Sequence, residues 1–319
     1  MYQASGDVLP GQRMMRLVVI VGPTGVGKSR LGLELAGEFS GEIVSADSRQ
    51  VYRYMDIGTA RPSPEEQSLV RHHVLDIINP DEDFSLARYQ QIACEAIDNI
   101  HRRGQLPFLV GGSGLYVRAV VEGWRIPRVP PDAGFRQEME KRAAESGGHR
   151  LYEELVRIDP VAAHRIDPRN VRRVIRALEV SRSTSAPISE LRGKQVPSYE
   201  TLIIGLTTDR GELYRRIDSR VDTMIERGLV DEVKKLVEMG YGSAPPVVSG
   251  IGYRQITMYL RGELSLTEAV QQMKTETHRL VRHQYSWFRL KDEHIHWFDV
   301  KIEPEAEIRG LVSKFIGTG

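Results

Sequence analysis

Short apolar runs and longer amphipathic stretches alternate along the chain. Residues 17–21 are wholly apolar, the pattern of a strand buried on both faces of a parallel sheet. Residues 29–39 place Leu31, Leu35 and Phe39 on one helical face. Residues 42–46 predict a second strand, ending at Asp47. A loop-rich stretch leads to residues 74–78. Residues 84–103 then read as an amphipathic helix and residues 106–110 as another apolar strand, which runs into Gly111 and Gly112. This alternation of strand, turn and helix predicts an α/β fold with a parallel sheet.

The pattern changes near Trp124. Residues 126–132 hold Pro127, Pro130 and Pro131, a stiff connector. From residue 135 to about 190 the periodicity is helical and no convincing strand occurs. Residues 201–206 return to a strand pattern. Residues 212–226, 230–239 and 266–288 read as helices, and residues 294–300 as a final strand. The predicted organisation is one discontinuous α/β core, residues 14–124 with 198–319, interrupted by a helical insertion over residues 125–197. Residues 1–13 are polar and lack the apolar stretch of a signal peptide, so they are expected to be a disordered leader.

The length of 319 residues suits two domains, or one core with a large insertion. Forty-four basic against forty-three acidic side chains leave a net charge of +1. That balance argues against a general polyanion binder but leaves room for local basic faces, which net charge averages away. At 40% hydrophobic and 27% charged residues, the chain is neither disordered nor fibrous. No apolar run approaches the length of a membrane span. The single cysteine, Cys94, excludes a disulfide framework and a cysteine-based zinc site, and fits a reducing compartment. Its place on the helix at 84–103 suggests a small buried hydrophobe.

Gly22-Pro23-Thr24-Gly25-Val26-Gly27-Lys28-Ser29 matches the phosphate-loop pattern G-x-x-x-x-G-K-[ST] in full. Glycines let backbone N–H groups turn inward around phosphate oxygens, and the helix that follows aims its N-terminus at the anion. Lys28 adds a point charge, and the Ser29 hydroxyl is a candidate Mg²⁺ ligand. The strand before the motif and the helix after it are its required context. The motif specifies a di- or triphosphate, not which one.

Kinases and NTPases on this core usually add an acid at the end of a second apolar strand. Here the strand at 106–110 runs instead into Gly111-Gly112-Ser113-Gly114. The carboxylate that follows a strand is Asp47, open to three readings: metal ligand, general base or helix cap. Arg220 falls within about 20° of Leu213 on a helical wheel, at the edge of the buried face. It reads as a buried ion pair or as a fork-like phosphate clamp. Arg169, Arg172, Arg173 and Arg176 cluster opposite Val171, Val174, Ile175 and Leu178. That face is either solvated or a phosphate-binding surface. Residues 277–289 form a second basic stretch.

These segments, taken together, resemble the tRNA dimethylallyltransferase family. The resemblance rests on Gly22–Ser29, on Asp47-Ser48-Arg49-Gln50-Val51-Tyr52 and on Met55-Asp56-Ile57-Gly58-Thr59-Ala60. It continues through His73-Val74-Leu75-Asp76, Val110-Gly111-Gly112-Ser113-Gly114-Leu115-Tyr116 and Arg176-Ala177-Leu178-Glu179-Val180. It ends with Gly250-Ile251-Gly252-Tyr253-Arg254-Gln255 and Arg282-His283-Gln284-Tyr285-Ser286-Trp287-Phe288-Arg289. It spans nearly all of the chain after Met14.

The resemblance implies a P-loop NTPase-like core with a helical insertion that grips the tRNA anticodon stem-loop. It implies transfer of a dimethylallyl group from dimethylallyl diphosphate to N6 of adenosine 37, next to adenosine 36, in tRNAs reading codons that begin with U. The phosphate loop then holds a leaving diphosphate rather than ATP, with Mg²⁺ on Ser29. Carried over by position, Asp47 is the general base, Ser113 (Thr in relatives) a positioning hydroxyl and Arg220 a diphosphate clamp. The implied tRNA contacts are Asp47, Ser48, Arg49 and Gln50; Arg172, Arg173, Val174, Ile175 and Arg176; Ser249, Gly250, Ile251, Gly252, Tyr253 and Arg254; and Arg282, Gln284 and Arg289. Relatives often carry Arg where His278 and His283 stand here. The lone cysteine excludes the C-terminal zinc finger of some eukaryotic relatives, which favours a bacterial or organellar type; a bacterial cytoplasmic location, with an organellar one as the alternative, and a monomer are expected. The alternatives are a small-molecule or nucleotide kinase on the same core and a non-catalytic RNA-binding switch.

Overall fold

The computed structural model describes residues 15–191, 193–194 and 199–317. The leader expected over residues 1–13 lies outside them. The strands are β1 (Met15–Val21), β2 (Gly41–Ser45), β3 (His72–His73), β4 (Leu106–Val110), β5 (Trp124–Arg125), β6 (Gly193–Lys194), β7 (Tyr199–Thr207) and β8 (Ile295–Asp299). Six of them form one sheet in the order β3-β2-β4-β1-β7-β8. Every pairing within it is parallel.

β1 lies inside the sheet, and side-chain alternation sends its residues to both faces. Leu17, Val19 and Val21 join a core with Tyr89, Ala93 and Ile97 of the helix Leu86–Arg102 and with Val117 and Val120 of the helix Gly114–Val121. Val18 and Ile20 face the other way. They pack with Leu31 and Leu35 of the helix Lys28–Glu38, Leu213 and Ile217 of the helix Arg210–Glu226, and Ile308 and Val312 of the helix Glu305–Ile316. Two covered faces explain the uninterrupted apolar run that a half-solvated strand would not tolerate. A further cluster joins Met55, Val221, Val233, Tyr253 and Met273 beside this layer.

The chain divides into two compact units, Met1–Val121 with Ser198–Gly319, and Glu122–Pro197. The second is helical apart from the two-residue strands β5 and β6, paired antiparallel. Its own core holds Met139, Leu151, Leu155, Val174, Ile175 and Leu178. Among the described residues, no helix is long and apolar enough to cross a membrane.

Several elements depart from the sequence pattern. β3 is only two residues long, because Val74 and Asp76 adopt positive φ and end it at His73. Gly114–Val121 is a helix that its glycine-rich entry conceals. The last strand stops at Asp299, whose carboxylate accepts from Lys301 N–H and starts a 3-10 turn. Cys94 is only half-buried.

Candidate active site

The carboxyl ends of β1, β2 and β4 carry the phosphate loop, Asp47 and the glycine-rich turn. Parallel α/β sheets place ligand sites at such an edge. The phosphate-loop glycines Gly22, Gly25 and Gly27 all have positive φ, from 81° to 146°. The helix Lys28–Glu38 has no acidic residue in its first turn and no side-chain cap. Its first amides therefore remain available to an anion. Val26 is buried and anchors the loop to the core.

Lys28 Nζ donates to the Pro23 carbonyl at 2.8 Å. Burial pushes its ammonium down to about 8, the Asp47 carboxylate opposes that shift, and the Arg220 guanidinium adds to it. Arg220 is itself held below its ordinary range by burial, against the pull of Asp47. The three groups thus share one electrostatic neighbourhood. A depression of about 590 Å³ adjoins it, lined by Gly25, Arg216, Ser219, Arg220 and Thr223 among others. Arg216 and Arg215 are both held by Glu212, at 2.8 and 2.6 Å.

Asp47 sits in a turn of its own making. Its Oδ1 accepts from Arg49 N–H at 2.8 Å, and its own N–H donates to Ser45 Oγ at 3.3 Å. The first contact is an Asx turn, which fixes the carboxylate relative to the backbone. Ser113 meets this loop: its Oγ accepts from Ser48 N–H at 3.0 Å and donates to Ser48 Oγ at 3.3 Å. Arg49 reaches across to Pro246 O and Ser249 Oγ, at 3.4 and 3.3 Å, joining two of the expected RNA-contacting segments.

Gln284 has a role the sequence did not reveal. Thr24 N–H donates to its Oε1 at 2.9 Å, and its Nε2 donates to Gly112 O at 3.2 Å. One buried amide thereby ties the phosphate loop to the turn after β4. Its side chain is buried and faces these two backbone groups.

Other expected RNA contacts are also placed inside. Gln50 is buried and bonded to Ser45, Thr59 and Ala60. Tyr253 is buried, with its hydroxyl donating to Glu232 at 2.6 Å. Gly250 and Gly252 are buried, Ile251 is half-buried, and Arg254 pairs with Glu276. In the helical unit, Val174 and Ile175 are core residues, because the helix Val171–Thr184 turns that stripe inward.

Arg176 bridges Glu179 at 2.5 Å and Val129 O at 2.9 Å, and Arg169 pairs with Asp167. Arg172 and Arg173 are exposed and form no ion pair among the described residues. Arg282 and Arg289 are exposed, with Arg282 donating to Tyr214 OH at 3.1 Å. His278 stacks on Tyr214 and lies 2.9 Å from Asp218.

Among the described residues no group of His, Cys, Asp and Glu could hold a metal ion by itself. Ser29 is exposed at the head of its helix, and no protein group among the described residues hydrogen-bonds its hydroxyl. One free hydroxyl oxygen beside a phosphate cradle suits Mg²⁺, which binds few protein ligands and takes the rest from phosphate and water.

Residues 50–291 match the model of the family described as IPP transferase. A tRNA dimethylallyltransferase of Dehalococcoides mccartyi is 50% identical over 310 residues, 97% of this chain and 95% of its own. One of a Roseiflexus species is 53% identical over 276 residues, 86% and 90% of the two chains. Among solved structures, the tRNA isopentenylpyrophosphate transferase of Bacillus halodurans is 42% identical with a TM-score of 0.69, over 94% of this chain and 96% of its own. A eukaryotic dimethylallyltransferase solved acting on tRNA is 28% identical with a TM-score of 0.81, over 95% and 80%. Agreement in sequence and in structure over nearly the full length leaves one assignment: the chain belongs to the IPP transferase family.

Proposed function

We propose that the protein transfers a dimethylallyl group from dimethylallyl diphosphate to N6 of adenosine 37 in tRNAs that read codons beginning with U. Support for the reaction class comes from relatives that bear that name and match along almost their entire length. The observation that carries the site assignment is Asp47, fixed by Arg49 N–H and sharing its field with Lys28 and Arg220 at an uncapped helix N-terminus.

The amine N6 attacks C1 of the allyl group as the C1–O bond breaks. The electron pair leaves with the diphosphate, and the N6 proton passes to Asp47. Lys28, Arg220 and the amides around Gly25 and Gly27 face the charge that develops on the leaving oxygens. Mg²⁺ held by Ser29 supplies further neutralisation of the diphosphate when bound. Ser113 positions Asp47 through Ser48. All of these groups come from one chain, in keeping with a monomer. A cytoplasmic location suits a tRNA substrate.

On the acceptor side, Ser48, Arg49 and Ser249 line the segment proposed to meet the extruded base, since N6 is reached only when the adenine leaves the stack. The exposed Arg172, Arg173, Arg282 and Arg289 are proposed phosphate contacts, with the unit Glu122–Pro197 holding the stem. The test is a competition. Protein, Mg²⁺ and an anticodon stem-loop are given dimethylallyl diphosphate and ATP together. Prenylated RNA with ATP intact is expected; ATP turnover with unmodified RNA would contradict the proposal.

A further inference from the structure

We propose that Glu232 is a positioning residue for the acceptor side of the reaction, acting on Asp47 through a continuous hydrogen-bonded chain. This rests on the reading of Asp47 as the base. Glu232 lies on the helix Leu229–Glu238, remote in sequence from the phosphate loop. Its Oε2 accepts from Asp56 N–H at 3.0 Å and Ile57 N–H at 2.7 Å. Its Oε1 accepts from Gly58 N–H at 3.1 Å and from Tyr253 OH at 2.6 Å. One carboxylate therefore satisfies three consecutive backbone donors and a buried phenol. Charge-assisted bonds of this kind are about twice as strong as neutral ones.

The chain continues inward. Thr59 O and Ala60 O, the next carbonyls of the same loop, both accept from Gln50 Nε2 at 3.3 Å. Gln50 Oε1 accepts from Ser45 Oγ at 3.0 Å, and Ser45 Oγ accepts from Asp47 N–H. Ala60 N–H, in the same peptide as Thr59 O, donates to Ile57 O at 3.0 Å, and the peptide of Ile57 O carries the Gly58 N–H that Glu232 accepts, so the bonds run in a consistent sense from Asp47 to Glu232. Met55 is fully buried, and a side chain added at Gly58 would meet the Tyr253 ring at 2.5 Å. The loop is thus pinned on both sides of its turn. Asp56 and Asp76 flank it and are bridged by Arg61 at 2.7 and 2.8 Å. This accounts for the segment Met55–Ala60, whose residue types suggest no chemistry of their own. It fastens the Asp47 turn to the helices behind it.

The test compares Glu232→Ala and Glu232→Gln in the full chain with wild type. Two quantities are read: steady-state prenyl transfer to an anticodon stem-loop, and backbone amide exchange. In Glu232→Ala, kcat is expected to fall roughly tenfold to a hundredfold, the scale of a misplaced reacting group. KM for the RNA should rise while the dissociation constant for dimethylallyl diphosphate stays the same. Amide exchange should accelerate at Asp56, Ile57 and Gly58 and also at Asp47, Ser48 and Arg49. Glu232→Gln keeps one acceptor oxygen and should fall between the two; it decides the matter if the alanine variant does not fold. Faster exchange at 56–58 with none at 47–49 would overturn the proposal. So would equal losses of donor binding and transfer, the signature of a smaller folded fraction. If wild type transfers no prenyl group, the proposed function fails, and the exchange pattern still tests the positioning separately.

Discussion

Lys28, Asp47 and Arg220 place two cations and one anion around a site built for an anion. With the loop free of diphosphate, Lys28 loses its proton near pH 8, because burial disfavours its charge. A bound diphosphate favours the charged form and moves the titration upward. Since kcat/KM reports the free enzyme, kcat/KM for dimethylallyl diphosphate should decline as pH rises through about 8, while kcat holds to higher pH. A kcat/KM profile flat through and beyond that point would contradict the assignment. Asp47→Ala should lower transfer by about 10²–10⁴-fold with RNA affinity largely retained, as measured by single-turnover labelling and filter binding. The places of Lys28, Ser29 and Asp47 after their strands were legible in the sequence because each motif is local to one turn. Arg220 was legible at the edge of its helix face from helical period alone. Gln284 was not: its partners are backbone groups, one of them 260 positions away, which no side-chain pattern encodes.

At the scale of elements, β1 is both the centre of the core and the mount of the phosphate loop. Ile20 is fully buried against the helices Lys28–Glu38 and Arg210–Glu226. Ile20→Ala should cost about 2–5 kcal/mol of stability in urea unfolding, through lost burial and a residual cavity. The helix Leu266–Trp287 joins two loops through one residue. Gln284→Ala leaves Thr24 N–H and Gly112 O without that partner, which should cost about 1–3 kcal/mol and raise KM for the donor. Donor titration of the variant checks this; an unchanged KM would mean the loops hold without the bridge. The long buried strands were readable because two covered faces demand unbroken apolar runs. Short elements were not. β3 is two residues long and ends at a left-handed valine, and the helix Gly114–Val121 begins among glycines that read as a turn.

Across the whole molecule, near-neutral net charge conceals an uneven surface. Many arginines are spent on internal partners, as Arg176 is on Glu179, whereas Arg172 and Arg173 stand exposed. Counting basic residues along this segment overstated the free charge because two nearby acids, Asp167 and Glu179, each hold one of the arginines. Arg172→Ala with Arg173→Ala should weaken stem-loop binding and reduce its salt dependence by a slope of about 1–2, leaving donor binding alone. Salt-dependent RNA titrations of the double variant measure both. The central claim is covalent transfer onto RNA with Asp47 as base. It is tested most directly by digesting the stem-loop to nucleosides after reaction with dimethylallyl diphosphate and Mg²⁺, then measuring their masses. Wild type should yield adenosine carrying one added five-carbon unit on N6, and Asp47→Ala almost none. Unmodified adenosine from wild type, or equal yields from both proteins, would contradict the account.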